Sequence, residues 1–145
     1  IHYKYMENIS LTIKPNIGLG NLEFDMPIEK VIELWGESTE LETIENAVDE
    51  ATLVLHYEER GCTLVFEGFN PKLTYIDILD DSMTLFGEEI IDKNEEEIIK
   101  LMESNNYTEY SCENEDWGEK SLSFEKANID FFFENDELIS VAFNK

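Results

Sequence analysis

The hydrophobic pattern of the first half of the chain returns in the second half at an offset of 67 residues. The clearest match joins residues 20–36 to residues 87–103, and residues 64–67 then fall on residues 131–134. The matching pairs of the first stretch include Gly20 with Gly87, Asp25 with Asp92, Glu29 with Glu96, Ile32 with Ile99 and Leu34 with Leu101. Self-similarity at a fixed spacing is typical of a repeated structural unit, so we predict a duplication.

Each copy begins with a pattern that predicts a short amphipathic helix. In the first copy one apolar stripe at helical spacing is formed by Ile28, Val31, Ile32 and Trp35. We predict that Asp25 caps the start of this helix and that Gly36 ends it. In the second copy we predict Asp92 as the cap, with Glu95 three residues later completing a capping box. The acids at both helix starts are therefore interpreted as capping residues.

Alternation of apolar and polar residues, which predicts strands, follows each helix. Three strands are predicted in each copy, at residues 52–57, 62–67 and 73–78 and again at residues 121–125, 129–134 and 138–143. Residues 9–13 predict a further strand before the first helix. Each unit is therefore one helix followed by a β-meander.

These units predict an α+β fold in which two duplicated helix-plus-β-meander units form one antiparallel sheet with both helices on one face. We expect residues 1–145 to form a single domain, with repeat 1 at about residues 17–80 and repeat 2 at about residues 84–145. The other face of the sheet is left open as a candidate binding surface. Both alternating sets of strand residues contain aromatics, so the sequence does not decide which face is free.

The composition adds an extreme negative charge. The chain has 34 acidic and 10 basic residues, a net charge of −24, and Arg60 is its lone arginine. The sequence has no basic clusters to neutralise phosphates, which disfavours nucleic acid and anionic membranes as partners. Two interpretations stay open: a solubilising surface, or a partner that is itself strongly basic.

The cysteines and the apolar runs bear on the cellular setting. Cys62 and Cys112 do not make a disulfide framework, and we interpret Cys62 as a buried free thiol. No apolar run approaches the length of a membrane span, and residues 1–20 lack a signal-type hydrophobic stretch. We therefore expect a cytoplasmic protein.

The sequence contains no pattern that is typical of catalysis or metal binding. His2 is terminal, and His56 lies mid-strand, where we interpret it as a hydrogen-bonded structural residue. A zinc site needs several close ligands, and residues 18–20 lack the remainder of a phosphate-binding loop. Carboxylate pairs are expected by chance among 34 acids. We predict a non-enzyme without cofactor or metal.

The tandem arrangement, in which a glycine and an aspartate precede a helix ending in Leu34, Trp35 and Gly36, resembles the beta-lactamase inhibitor protein superfamily. The stretches that carry the resemblance are residues 20–36 with 64–76 and residues 87–102 with 131–141. Small outer-membrane assembly lipoproteins, which carry one such unit, are similar. The resemblance implies binding to another protein through the open sheet face.

Together with the net charge of −24, this implied binding predicts an immunity protein for a polymorphic or contact-dependent bacterial toxin. Such toxins are often nucleases with a basic substrate groove, and an acidic inhibitor would bind that active site and block it. The predicted partner-binding residues are aromatics and nearby acids: Tyr75, Asp77, Tyr110, Glu113, Glu115, Asp116 and Trp117. Local packing over a hairpin is the alternative role for Tyr110 and Trp117.

Three other functions stay open from the sequence. A small-ligand-binding or scaffold domain would have an apolar pocket between helix and sheet. A nucleic-acid mimic would place its carboxylates in a duplex-like row. An enzyme would need a catalytic arrangement of residues that the sequence does not display.

Overall fold

The computed structural model describes residues 9–45, 51–115 and 117–145 and shows a β-rich fold. Strands hold 47% of these residues and helices 16%. The helices are α1 (Ile28–Trp35) and α2 (Glu95–Ser104), with a 3-10 turn at Glu58–Arg60, and no helix in these ranges is long and apolar enough to cross a membrane. The strands are β1 (Thr12–Lys14), β2 (Gly18–Leu19), β3 (Leu22–Glu23), β4 (Glu40–Glu45), β5 (Ala51–Tyr57), β6 (Cys62–Glu67), β7 (Lys72–Ile78), β8 (Thr84–Leu85), β9 (Glu88–Glu89), β10 (Ser111–Asn114), β11 (Glu119–Phe124), β12 (Ile129–Glu134) and β13 (Glu137–Asn144).

The strands of the described ranges form two sheets. The small sheet has five strands in the order β3-β2-β1-β8-β9, and its β1 and β8 run parallel with Ile13 opposite Leu85. The large sheet has eight strands in the order β10-β11-β12-β13-β7-β6-β5-β4, all antiparallel. Its central pair joins the two halves of the chain, with Val141 of β13 opposite Ile78 of β7.

The predicted α+β fold with one antiparallel sheet is wrong, because the chain forms a second sheet and strand outweighs helix. The residues before each helix turn back as the hairpins β2-β3 and β8-β9. Gly20 makes the first turn with a φ of 57°, and a Cβ there would lie 2.1 Å from the carbonyl oxygen of Ser10. Since β1 pairs with one strand of each hairpin, the five short strands form a sheet of their own.

One apolar cluster joins both sheets and both helices. Alternate residues of the large sheet are buried, as in β12, where Phe131 and Phe133 are buried while Asp130 and Phe132 are half-buried. The helices and the small sheet contribute Val31, Trp35, Ile98, Met102, Ile13, Leu19, Leu22 and Leu85. These elements therefore cover one face of the large sheet, and no other described element covers the opposite face.

The meander strands predicted after each helix are confirmed to within two residues at either end. Both halves of the large sheet also carry a register shift, between Val65 and Phe66 on β6 and between Phe132 and Phe133 on β12. These irregularities lie at the same offset of 67 residues as the sequence match. The assignment of the chain as a single domain of two repeats stays a prediction.

The helix caps differ from the predicted residues. Asp25 has a φ of 72°, and its amide donates to the Leu73 carbonyl at 2.8 Å, while α1 begins after Pro27 without a side-chain cap. In α2 the cap is Asn94 rather than Asp92. Both predicted caps are wrong for one reason: each residue lies in a turn before its helix, so each helix begins later. In these turns the Met26 amide donates to the Glu23 carbonyl at 3.2 Å and the Lys93 amide donates to the Ile90 carbonyl at 3.0 Å. Gly36, with a φ of 80°, ends α1 as predicted.

We expect Asn94→Ala to lower the free energy of unfolding by about 1 kcal/mol, the usual value of an N-cap. Asn94 Oδ1 accepts from the Glu97 amide at 3.0 Å, and Glu97 Oε1 accepts from the Asn94 amide at 3.2 Å. Urea unfolding followed by circular dichroism measures the change. Asp92→Ala is the matched control, and an equal loss in the two variants would contradict the assignment of the cap.

We expect native protein to react with a thiol reagent at one cysteine and unfolded protein at two. Cys62 is buried and Cys112 is exposed, and both are free. Burial raises the pKa of the Cys62 thiol, and the nearby Asp77 carboxylate raises it further. Burial therefore keeps the reagent away from Cys62, and the raised pKa keeps its thiol out of the reactive thiolate form. A Cys112→Ser variant that still reacts at the native rate would contradict this placement.

Candidate functional site

The uncovered face of the large sheet, here called the open face, presents the strand residues that point away from the apolar core. Residues paired directly across neighbouring strands point to the same side, so the register identifies its members. One row of pairs runs from His56 to Thr63, then to Asp77 and Ala142. The open face includes Val54, His56, Thr63, Val65, Tyr75, Asp77, Glu113, Ser121, Ser123, Asp130, Phe132, Ser140 and Ala142.

The middle of the open face combines two carboxylates with two aromatic rings, and we call these four residues the central cluster. Asp77 and Asp130 are both paired with Ala142, so their strands lie about 10 Å apart on either side of this small residue. Tyr75 lies two positions before Asp77 on β7, and Phe132 lies two positions after Asp130 on β12. The two rings therefore lie on opposite sides of the pair of carboxylates along the strand direction. All four side chains are half-buried.

The central cluster is acidic, and the Tyr75 hydroxyl remains a neutral hydrogen-bond donor within it. Ser140 Oγ donates to Asp77 Oδ1 at 2.6 Å, which fixes one carboxylate oxygen. Burial raises the pKa of the Tyr75 phenol, and the charges of Asp77 and Asp130 raise it further. The Tyr75 hydroxyl therefore stays protonated at neutral pH. The cluster offers a cationic partner side chain two carboxylates and two ring faces.

His56 lies on the open face two strands from Tyr75 and Asp77. Its Nδ1 lies 3.2 Å from Thr63 Oγ1, and its Nε2 contacts the Glu42 carboxylate on β4. Both ring nitrogens are thus occupied, so the prediction that His56 is hydrogen-bonded is confirmed. In the described ranges no group of three or more histidine, cysteine, aspartate or glutamate side chains could hold a metal ion.

The structure divides the predicted partner-binding residues among three places. Tyr75, Asp77 and Glu113 lie on the open face, although Glu113, on edge strand β10, is four strands from Tyr75, about 19 Å away. Tyr110 packs instead against the buried ring of Phe124, with ring centroids 5.2 Å apart. Tyr110 therefore lies on the covered side of the sheet.

Two of the remaining predicted residues, Glu115 and Trp117, lie in the turn between β10 and β11. Trp117 is 68% exposed, and its Nε1 donates to Glu119 Oε2 at 3.0 Å. The amide of Glu115 donates to the Glu119 carbonyl at 2.7 Å. Asp116 lies outside the described residues. This turn follows edge strand β10, so the described members of the predicted set do not form one contiguous site.

Phe132, Asp130 and Ser140 were not predicted as site residues, although they lie beside Asp77 on the open face. The sequence does contain a signal for Phe132, because it falls on Val65 at the offset of 67 residues. It is also the middle residue of three consecutive phenylalanines on β12, and strand alternation places the middle one opposite its neighbours. What the sequence lacks is the pairing of β13 with β7, which joins Asp130 to Asp77 through Ala142.

No family model matches the chain, and no curated protein matches it. Among solved structures, the chain is similar to the 1.5 Å crystal structure of an extracellular protein containing a SCP domain from Bacillus anthracis str. Ames. That superposition has a TM-score of 0.46 at 13% sequence identity, and it covers 92% of this chain and 50% of that chain. The chain thus spans half the length of that protein, and a likeness of this strength assigns neither a family nor a function.

Proposed function

We propose that this chain is a non-enzymatic inhibitor that binds a strongly basic protein through the open face. The observation that carries the proposal is the central cluster, which places Asp77 and Asp130 beside Tyr75 and Phe132 on an uncovered sheet face. The partner we propose is a nuclease-type bacterial toxin, and the mode of inhibition is occupation of its active site. The chain would then act as an immunity protein in contact-dependent growth inhibition.

The charge of the chain supports a basic partner. At a net charge of −24, the chain attracts a cationic protein from a distance and raises the rate of association. A nuclease groove is basic because it binds phosphates, and its lysines and arginines match the Asp77 and Asp130 carboxylates. Long-range attraction sets the rate, whereas contacts at the centre of the interface set the residence time.

The aromatic residues of the central cluster support a stable complex. Tyrosine is enriched among the interface residues that contribute most to binding, and such residues cluster near the centre of an interface. Tyr75 on β7 and Phe132 on β12 flank the carboxylates, and β13 lies between these two strands in the middle of the sheet. A partner arginine between Asp77 and Asp130 that also contacts one of these rings would combine ion pairing with cation–π attraction.

The experiment that tests the proposal captures partners of the tagged chain from a lysate of the source organism. We expect one basic protein to be retained. The rate at which that protein associates with the tagged chain should fall as ionic strength rises from about 0.1 M to about 0.5 M, because salt screens the attraction. The matched control is the Asp77→Asn/Asp130→Asn variant, which keeps side-chain volume and should retain less of that protein. Equal capture by both chains, or a captured protein without nuclease activity, would contradict the proposal.

A further inference from the structure

A cavity of about 780 Å³ lies at the C-terminal end of α1, away from the open face. Its floor is formed by three buried side chains, Trp35 at 3% exposure, Tyr57 at 3% and Arg60 at 8%. Leu34 adds an apolar wall. Cavities of 300 to 1,000 Å³ with apolar and aromatic walls are the usual form of small-molecule sites, so this volume is sufficient for a ligand.

Arg60 is the lone arginine of the chain, and its guanidinium is only partly satisfied. It lies 5.0 Å from the ring centroid of Trp35 and 5.5 Å from that of Tyr57. Its Nη1 donates to the carbonyl oxygen of Trp35 at 3.3 Å. Its Nη2 is buried and has no hydrogen-bond partner within residues 9–45, 51–115 and 117–145. Buried charged donors almost always have acceptors, so this atom points to a missing acceptor.

Tyr57 cannot supply the missing acceptor in an ionised form. Burial raises the pKa of its phenol to about 12 even though the Arg60 charge lowers it. The neutral hydroxyl already donates to the carbonyl oxygen of Gly36 at 2.7 Å. No carboxylate in the described ranges forms an ion pair with Arg60. A ligand carboxylate is the natural group to accept from Nη2.

The mouth of the cavity restricts the ligand further. Glu33, Glu37 and Glu59 are exposed and line the cavity around the buried floor. Three carboxylates at the entrance repel a simple anion and attract a cationic group. A molecule that carries both a carboxylate and an ammonium group satisfies both regions, with the carboxylate inside and the ammonium at the mouth.

We propose that this cavity binds a free α-amino acid with a large apolar side chain. The carboxylate accepts from Arg60 Nη2, the ammonium lies near Glu37 and Glu59, and the side chain packs against Trp35 and Leu34. Because Nη2 is closed to solvent, the contact requires a small rotation of the guanidinium toward the cavity. The site is separate from the open face, so it does not depend on the proposed inhibition.

The test is an NMR titration of the intact, ¹⁵N-labelled chain with L-phenylalanine. We expect saturable shifts of the Trp35 indole N–H and of amides in residues 33–39 and 57–60. The Trp117 indole is the internal control, because it lies in the exposed turn between β10 and β11. Trp35 and Trp117 are the two tryptophans of the chain, so their indole signals report separately on the cavity and on nonspecific binding.

Two matched probes identify the recognised groups. L-Phenylalaninamide lacks the carboxylate and should bind about tenfold more weakly or worse, because the charged hydrogen bond to Arg60 is lost. N-Acetyl-L-phenylalanine lacks the ammonium group and should also bind more weakly. Equal shifts of Trp35 with phenylalanine and its amide, or no Trp35 shift up to the solubility limit, would overturn the proposal.

Variants separate the roles of floor and mouth. Arg60→Met keeps the apolar stem and removes the donor, so phenylalanine binding should be lost. Since that variant removes a buried residue and could impair folding, Glu37→Gln/Glu59→Gln provides a second test at exposed positions. The double variant should weaken the binding of phenylalanine and leave that of N-acetyl-phenylalanine unchanged or tighter. Unchanged phenylalanine binding in the double variant would contradict the placement of the ammonium group.

Discussion

Phe131→Ala is expected to lower the free energy of unfolding by about 3–5 kcal/mol, the range for removing a large buried aromatic side chain. Phe131 is fully buried on β12, and its ring meets that of Phe124 edge to face at 5.8 Å. It lies on the face of the large sheet that the helices and the small sheet cover. Truncation would leave a cavity that rigid neighbouring strands cannot close. Urea unfolding monitored by tryptophan fluorescence measures the loss.

Phe132→Ala is the matched control, because it removes the same side chain from the next residue of the same strand. Phe132 is half-buried and points to the open face, so we expect its removal to lower the free energy of unfolding by about 1 kcal/mol. Equal losses for Phe131 and Phe132 would mean that both faces of the large sheet are packed. That result would contradict the existence of an open face.

Tyr75→Ala is expected to weaken the complex with the basic partner by about 30-fold or more, which corresponds to about 2 kcal/mol. Tyr75 lies in the middle of the open face on β7, next to Asp77. Its half-buried ring is held by the sheet before binding, so little conformational entropy is lost on association. Surface plasmon resonance should show the change mainly in the dissociation rate.

Tyr110→Ala provides the control for partner affinity. It removes the same side chain on the covered side of the sheet, where Tyr110 packs against Phe124. We expect unchanged affinity, together with a modest loss of stability. A large loss of affinity for Tyr110 and none for Tyr75 would move the binding surface from the open face to the edge near β10.

Much of the large sheet could be predicted from the sequence, because its strands are long enough to show alternation. The six-residue strand β12 alternates apolar and polar residues except at Phe132, and the predicted bounds agree with the observed ones. Gly36 likewise ends α1 where predicted, since its left-handed φ of 80° favours glycine. Local chemistry and strand periodicity were sufficient for these features.

The small sheet could not be predicted in the same way. Four of its strands have only two residues, such as β2 (Gly18–Leu19), and a two-residue segment has no measurable period. Its central contact is the parallel pairing of β1 with β8, which joins residues 72 positions apart, as Thr12 with Thr84. That long-range pairing is absent from any local pattern, and it is why the predicted single sheet was wrong.

The candidate site was predicted only in part, for a related reason. Tyr75 and Asp77 stand out in sequence as an aromatic residue close to an acid, and both lie on the open face. Asp130 and Phe132 join them only through the order of strands across the middle of the sheet. Which aromatic residues face outward depends on what covers the other side, and this is decided by packing of the helices and the small sheet.

Titrating the nuclease activity of the captured protein with this chain shows whether the open face inhibits a basic nuclease. The measured quantity is the cleavage rate of a labelled nucleic acid at a fixed amount of the captured protein. We expect complete inhibition near one equivalent of the wild-type chain and of Tyr110→Ala, and little inhibition by Tyr75→Ala at the same concentration. Undiminished cleavage with the wild-type chain, or full inhibition by Tyr75→Ala and by Asp77→Asn/Asp130→Asn alike, would contradict it.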